Sequence, residues 1–367
     1  MSTFKEIRGQ LIKSVSSDPA NASGGDMWYN STSQTLKGVV ASGAWSSGAP
    51  TIEVYSYASS SVQGTQTASL IAAGGSTPRS KSESYNGIGF SAEASLNNGR
   101  GNSECGGGAG TATAALCYNG TPGGGPVLNF IEEYNGTSWS EQNDLGTARA
   151  YLAGCGTQTA GLVFGGNPYT NLTEEYDGSS WTAGGNLANG RSSLAGFGIQ
   201  TAGVATGGYN TTAFTNTEEY NGSAWTAGGA LNTANYQFAA AGILTAGIAW
   251  AGQNPTKNQT EEYNGSAWTT VPATLNTPTF GHTGAGTQTA ALSVFGRSPG
   301  NTTQTELYDG TSWTISAPAA TARRGAGGAG TQPAGLGFGG FTTIQINNTE
   351  EFTGGTEVAT ASTLTTS

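Results

Sequence analysis

Five Glu-Glu pairs, opening at Glu132, Glu174, Glu218, Glu261 and Glu350, are the side chains of this sequence best suited by type to do chemistry. Two carboxylates across one bond are what glycoside hydrolysis requires. Their repetition argues for another role, because an active site needs one copy and this pair recurs along the chain. Adjacent residues on a strand face opposite ways, so only one member of each pair shares a face with the aromatic residue that follows. His282 is the only histidine. A Ser-His-Asp triad therefore has one possible centre, and a multi-histidine metal site is excluded; in GHTGAG the residue reads as a packed or turn position. Cys105, Cys117 and Cys155 are too few and too irregular for a disulfide framework or a zinc site. They read as small buried hydrophobes, with Cys105 and Cys155 on adjacent innermost strands. No enzymatic activity, cofactor or metal is expected.

The elements that hold these residues follow from composition. The 367 residues include 60 Gly, 8 Trp, 14 Tyr and 12 Phe, with only 10% charged. Gly and β-branched residues argue against long helices, and short runs of Thr, Tyr, Trp and Val split by Gly and Asn-Gly read as many short strands. The regularly spaced aromatics supply a core and exclude disorder over residues 45–353. Net charge is −10, and four of the 13 basic residues (Lys5, Arg8, Lys13 and Lys37) fall in the first 40 positions. No basic stripe exists to neutralise phosphates, so nucleic-acid binding is not expected. No run of 18 apolar residues is present, so no membrane insertion is expected, and the first residues lack the apolar block of a secretory signal.

One phrase returns seven times: GTQTASL from Gly64, then versions from Gly110, Gly156, Gly198, Gly242, Gly286 and Gly330. The steps are 46, 46, 42, 44, 44 and 44 residues. That period marks a supersecondary unit that buries its apolar face only by stacking on its neighbours. Residues 191–230 show its anatomy: an Arg, a small-residue strand, a tight turn, a strand ending in Gly207-Gly208, a variable loop, a strand ending TEEYN, an Asn221-Gly222 turn, and an outer strand from Trp225.

This order resembles the kelch repeat, over roughly residues 50–355. Double glycines stand at Gly74-Gly75, Gly165-Gly166, Gly207-Gly208 and Gly339-Gly340, with degraded versions at Asn119-Gly120, Ala251-Gly252 and Gly296-Arg297. The Tyr position holds Tyr85, Tyr134, Tyr176, Tyr220, Tyr263, Tyr308 and finally Phe352, and the Trp position Trp139, Trp181, Trp225, Trp268 and Trp313. Arg opens the repeat at Arg100, Arg149, Arg191 and Arg323 or Arg324. The resemblance implies an all-β fold, a seven-bladed kelch-like β-propeller with four-stranded blades, behind a short N-terminal leader. Double glycines are expected where strands converge near the axis, and the Tyr and Trp residues are expected between blades. The kelch-type copper oxidases need two histidines and are excluded. The YDGSSW phrases share residues with the Asp-box of sialidase propellers at a different spacing, and Asn135-Gly-Thr and Asn221-Gly-Ser read as turns.

Blade one lacks a Trp at GIGFSAEA, and blade seven lacks one after Phe352, while GAW at Gly43 echoes the fourth-strand phrase. Trp45 is therefore expected in the outermost strand of blade seven, closing the ring beside Phe352 and hiding the last sheet edge; the alternative is that residues 356–362 supply that strand. The expected divisions are a leader or attachment arm with a hairpin over residues 1–40, the propeller over 41–355, and a tail over 356–367.

The first and third turns of each repeat barely change, whereas the second loop varies freely at 119–131, 167–173, 209–217, 253–260 and 341–349. Variable loops over a constant scaffold suit recognition, and Tyr169, Tyr209, Phe214 and Phe341 are the candidate aromatic contacts. The leader carries a capping-box pattern at Thr3 and Glu6. Its GDMWYNSTSQTLKG stretch with the following GAW is similar to a hairpin of tail and fibre proteins of tailed, particularly marine, bacteriophages. That resemblance implies a non-enzymatic virion protein made in bacterial cytoplasm, where disulfides are rare. Its partners would be other tail, baseplate or fibre proteins held through the leader, and a host surface glycan or receptor met by the loops. The alternatives are a virion structural or decoration protein and a non-viral kelch-like carbohydrate-binding module.

Overall fold

The computed structural model describes residues 13–17, 27–32, 35–60, 63–75, 80–100, 108–118, 126–253 and 255–361. The Thr3–Glu6 capping pattern, Cys105, the Asn119-Gly120 pair, the start of the 119–131 loop and residues 362–367 lie outside them. Every regular element among the described residues is a β-strand.

The chain divides into two compact units, Ala44–Thr353 and the pair of segments Met1–Gly43 with Gly354–Ser367. The larger unit is a seven-bladed β-propeller of four-stranded antiparallel blades. Blade four is typical: Ala195–Ile199, Ala202–Thr206, Thr217–Tyr220 and Trp225–Ala227, hydrogen-bonded in chain order. Blades three, five and six open at Ala153, Ala239 and Thr283, and blade two at Gly108. Blade one starts with a two-residue strand, Ser59–Ser60. An additional two-stranded hairpin, Tyr209–Asn210 with Thr212–Ala213, stands in the second loop of blade four.

Alternation of small and large side chains explains the packing. Second strands are buried throughout, as in Ala202–Thr206, while first strands are rich in Gly. A Cβ at Gly196 would meet the Phe164 ring at 2.6 Å, and one at Gly284 the Trp250 ring at 2.5 Å, so the preceding blade's aromatic fills the space that glycine leaves.

The double glycines differ from expectation in register in blades one and six. The residues with positive φ are Ala73-Gly74, Ala251-Gly252 and Phe295-Gly296, in line with Gly165-Gly166 and Gly207-Gly208. The pair is a turn, and only its second position needs glycine throughout. There the Gly208 N–H donates to Asn235 O at 2.8 Å and the Gly166 N–H to Arg191 O at 2.9 Å, each in the connector to the following blade. Positive φ and crowding set glycine here: a Cβ would meet Leu194 Cβ at 3.0 Å from Gly208 and Ala150 O at 2.9 Å from Gly166.

Ring closure joins distant parts of the sequence. Blade seven is ordered Gly327–Thr331, Ala334–Phe338, Thr349–Ala361 and Thr35–Gly48, so the outermost strand is N-terminal and contains Trp45. The Trp45 ring lies 5.1 Å from Phe352 and 5.7 Å from Phe295, and its Nε1 donates to Thr305 Oγ1 at 2.8 Å. Residues 356–361 continue the third strand and do not supply the fourth. In blade one Phe90 stands opposite Tyr85 where other blades carry Trp.

In the smaller unit, Met27–Asn30 and Thr35–Gly38 form an antiparallel hairpin, with Lys13–Val15 added in parallel. Trp28 of this hairpin is buried.

Candidate functional site

The residues with chemical potential are held in a repeating seam. The first Glu of each pair turns inward within its own blade. Arg100, Arg149, Arg191 and Arg323 meet Glu132, Glu174, Glu218 and Glu350 at 2.6, 3.0, 2.7 and 2.9 Å, with each guanidinium fully buried. The same carboxylates accept from backbone N–H groups of the incoming connector: Asn97 N–H donates to Glu132 and Ala188 N–H to Glu218. Burial lowers the Arg323 guanidinium to about 10 while Glu350 acts the other way. Where blade five has no Arg, the buried Lys257 stands beside Glu261; where blade six has none, Gln304 Nε2 donates to Glu306 at 2.9 Å.

The second Glu points across the seam to the next blade. Tyr176 OH donates to Glu133 at 2.9 Å and Tyr308 OH to Glu262 at 2.8 Å, and Tyr220 and Tyr263 bond Glu175 and Glu219 in the same way. Tyr85 of blade one bonds Glu351 of blade seven across the closure. In blade one Ser84 takes the second place and Glu93 supplies the carboxylate for Tyr134 at 2.7 Å. Burial first, then these carboxylates, raise the tyrosine pKa values above their ordinary range. The Glu pairs thus tie connector to strand within a blade and one blade to the next.

The Trp residues cross the same seams. Trp139 donates to Ser82 at 3.0 Å, and Trp225, Trp268 and Trp313 donate to Thr173, Thr217 and Thr260, each at 2.8 Å. Blade two has Ile131 in place of that Thr, and Trp181 Nε1 has no partner among the described residues. Each Trp also lies against the Tyr of its own blade, at 5.1 Å for Tyr134–Trp139 and 4.9 Å for Tyr220–Trp225 and Tyr263–Trp268.

The His282 ring nitrogens, Cys117 and Cys155 are all buried. His282 occupies the position of Leu194 and Phe238 in its neighbours, its ring 6.1 Å from Trp250, with neither ring nitrogen partnered among the described residues. Burial lowers its pKa to about 4. Cys117 and Cys155 are buried, and burial pushes the Cys155 thiol up to about 12, far from thiolate reactivity. No group of three or more His, Cys, Asp or Glu is assembled to hold a metal among the described residues.

The opposite arrangement appears on the face formed by the second loops and the blade-to-blade connectors. There Tyr151, Tyr169, Tyr209 and Tyr236, from blades three, four and five, line a cleft of about 300 Å³. The Tyr169 and Tyr209 rings are 6.1 Å apart, and those of Tyr209 and Tyr236 5.0 Å. Between them lie Asn167, Ser192, Ser193 and Gln237. Backbone pairing fixes the frame: Ala150 with Asn167, Ser192 with Tyr209, and Tyr236 with Gln253. Ser193 N–H donates to Tyr151 O at 2.9 Å and Gln237 N–H to Ser193 O at 3.2 Å, linking the connectors from blade to blade.

Of the candidate contacts read from the sequence, Tyr169 and Tyr209 lie in this cleft and Phe214 and Phe341 lie elsewhere. Phe214 is half-buried with the Arg191 guanidinium carbon 5.9 Å from its ring, and Phe341 is half-buried 4.8 Å from that of Arg324. Both cover arginines, and their loop position alone could not distinguish that from exposure. Tyr151, Ser193, Tyr236 and Gln237 were missed because they belong to connectors and not to the variable loops. Their signal is present in alignment of the repeats: two residues after the Arg position, blades six and seven carry Gly281 and Gly325, whereas blades three to five carry Tyr151, Ser193 and Gln237.

No protein-family model matches this chain, and no curated protein matches it with significance. The functional reading therefore stands on the geometry and on the sequence itself.

Proposed function

We propose that the chain is a non-enzymatic, kelch-like recognition protein of a tailed-bacteriophage virion, a tail or fibre component in which the loop face meets the host surface and the N-terminal segment docks to the particle. The observation that carries recognition is the cleft between blades three and five, the place where aromatic and neutral polar side chains face outward together. Aromatic clusters of this kind are typical anchors of binding surfaces. The virion assignment rests on the GDMWYNSTSQTLKG hairpin phrase. Localisation in the virion, assembly with other tail or baseplate proteins and absence of nucleic-acid or membrane contacts belong to the same proposal.

A second reading, a structural or decoration protein working through protein–protein contacts, is favoured by Ile199 and Ile243. These are 55% and 58% exposed in neighbouring blades at the first-turn face. One experiment separates the two. Particles carrying Tyr169→Ala with Tyr209→Ala should retain the chain in full amount by quantitative mass spectrometry. Their adsorption to host cells should slow by about tenfold, as loss of aromatic anchors gives. Unchanged adsorption would leave the structural role, and absence of the chain from purified particles would overturn both.

A further inference from the structure

We infer that the tyrosine cleft is a binding site for a single uncharged sugar residue. This rests on the recognition reading above and names its ligand class.

The floor of the cleft carries the first argument. Tyr151, Ser193 and Gln237 have φ of 54°, 53° and 52°, in the left-handed region that side chains with a Cβ avoid. The equivalent residues of blades six and seven are Gly281 and Gly325, at φ 60° and 58°. Glycine therefore satisfies the fold at this position, and three successive blades nevertheless place a larger residue there. Blade one also does so, with Tyr57 at φ 50°, but that ring fills the space over Gly325. The three exceptions in blades three to five share one feature, which is that all of them line the cleft. Strain kept at neighbouring positions and aimed into one cavity marks a site.

The lining carries the second argument. A pyranose has a face of C–H groups and a rim of hydroxyls, and it needs an aromatic surface beside groups that both donate and accept. The cleft offers four tyrosines for the first and Asn167 and Gln237 for the second. An amide can donate to one hydroxyl of a vicinal pair and accept from the other. Neither of these two side-chain amides has a hydrogen-bond partner among the described residues. Among the described residues no charged side chain lines the cleft, and the chain carries net charge −10, so an acidic sugar would lose hydration without gaining a counter-charge. A volume of about 300 Å³ sits at the small end of ligand sites and suits one ring.

The test uses the full chain and defined probes. Methyl α-D-glucopyranoside, methyl α-D-mannopyranoside and methyl β-D-galactopyranoside are titrated by saturation-transfer NMR and calorimetry, with glucuronate and N-acetylneuraminate as charged counterparts. At least one neutral glycoside should bind with a dissociation constant of about 1 mM or tighter, and the charged sugars should not. Gln237→Gly should weaken binding by about fivefold, the loss of one hydrogen bond. Its melting temperature should hold or rise, because blades six and seven already use glycine there. Failure of all three neutral probes, equal binding of the acids, or unchanged affinity in Gln237→Gly would each overturn the assignment. If the glycosides fail while the Tyr169→Ala, Tyr209→Ala particles still lose adsorption, the sugar falls and recognition stands. If the glycosides bind and adsorption is untouched, the reverse holds.

Discussion

On one face of the propeller, Gln66, Gln158, Gln200 and Gln288 reach from their turns to main-chain carbonyls of the preceding blade, at 2.7, 2.7, 2.8 and 3.0 Å for the third-strand carbonyl. The Asn or Asp of the other turn accepts N–H groups of its own loop, as Asn135 does from Thr137 and Ser138 and Asp177 from Ser179 and Ser180. On the other face, Asn167 and Gln237 line a cleft with their amides unengaged by the described residues. Both faces are made from the same repeats, and the difference is in what the polar groups bind. Where the repeat is constant its polar groups are consumed within the ring, in neighbouring blades or in their own turns, whereas these two amides of the divergent face are not. Repetition within a chain therefore points away from a site and local divergence points toward one.

The sharpest way to break this comparison is to show that residues assigned to the ring also serve the cleft. Arg323 is buried against Glu350 with its guanidinium carbon 3.9 Å from the Phe295 ring centroid, in blade seven and outside the cleft. Arg323→Ala leaves Glu350 buried without its cation and should cost about 3–5 kcal/mol in denaturant unfolding. Glycoside affinity should not change. A loss below about 1 kcal/mol would mean that the N–H groups of Ala320 and Thr321 suffice for Glu350.

The next effect is a pH dependence. His282 titrates near 6.5 when unfolded and near 4 when folded, because burial disfavours the imidazolium. Above pH 6.5 both states are neutral and its contribution is constant. Between 6.5 and 4 the unfolded chain takes up a proton that the folded chain refuses, so stability falls with pH, by up to about 3 kcal/mol. His282→Phe copies Phe238 of blade five and removes the titration. Its melting temperature should fall less than the parent's across that window. Parallel profiles would show that His282 is not the acid-sensitive group.

Much of the ring was legible because it repeats: seven returns of one phrase give the blades, and the stray GAW at Gly43 gives the closing strand. What the repeats could not give was the partner of each polar residue. The Glu-Glu pairs were readable as structural, but adjacent carboxylates bond in opposite directions, one to its own blade and one to the next, and only the stacked blades reveal this. The double-glycine register slipped by one residue in blades one and six because the letters mark glycines whereas the turn requires positive φ, which Ala73 and Phe295 also adopt. The cleft was half legible. Tyr169 and Tyr209 stood out in variable loops, but Tyr236 and Gln237 lie in a connector whose sequence looks unremarkable until the glycines of blades six and seven are set beside it.

The smallest test probes the seam itself, where two departures from the repeat coincide. Blade seven has Phe352 at the Tyr position, and blade six has Leu307 where blades two to five carry the second Glu. The hydroxyl and its acceptor are missing together, so neither is left without the other. Phe352→Tyr restores only the hydroxyl and should destabilise by about 1–3 kcal/mol, the cost of a buried unsatisfied group. Leu307→Glu alone introduces a carboxylate at a site 7% exposed and should also destabilise. The double variant recreates the Tyr308–Glu262 arrangement and should recover part of both losses, a favourable coupling of about 1 kcal/mol in a double-mutant cycle. Additive losses would show that the two substitutions are unrelated, and that the seam is held by apolar contact with no need of its repeated hydrogen bond.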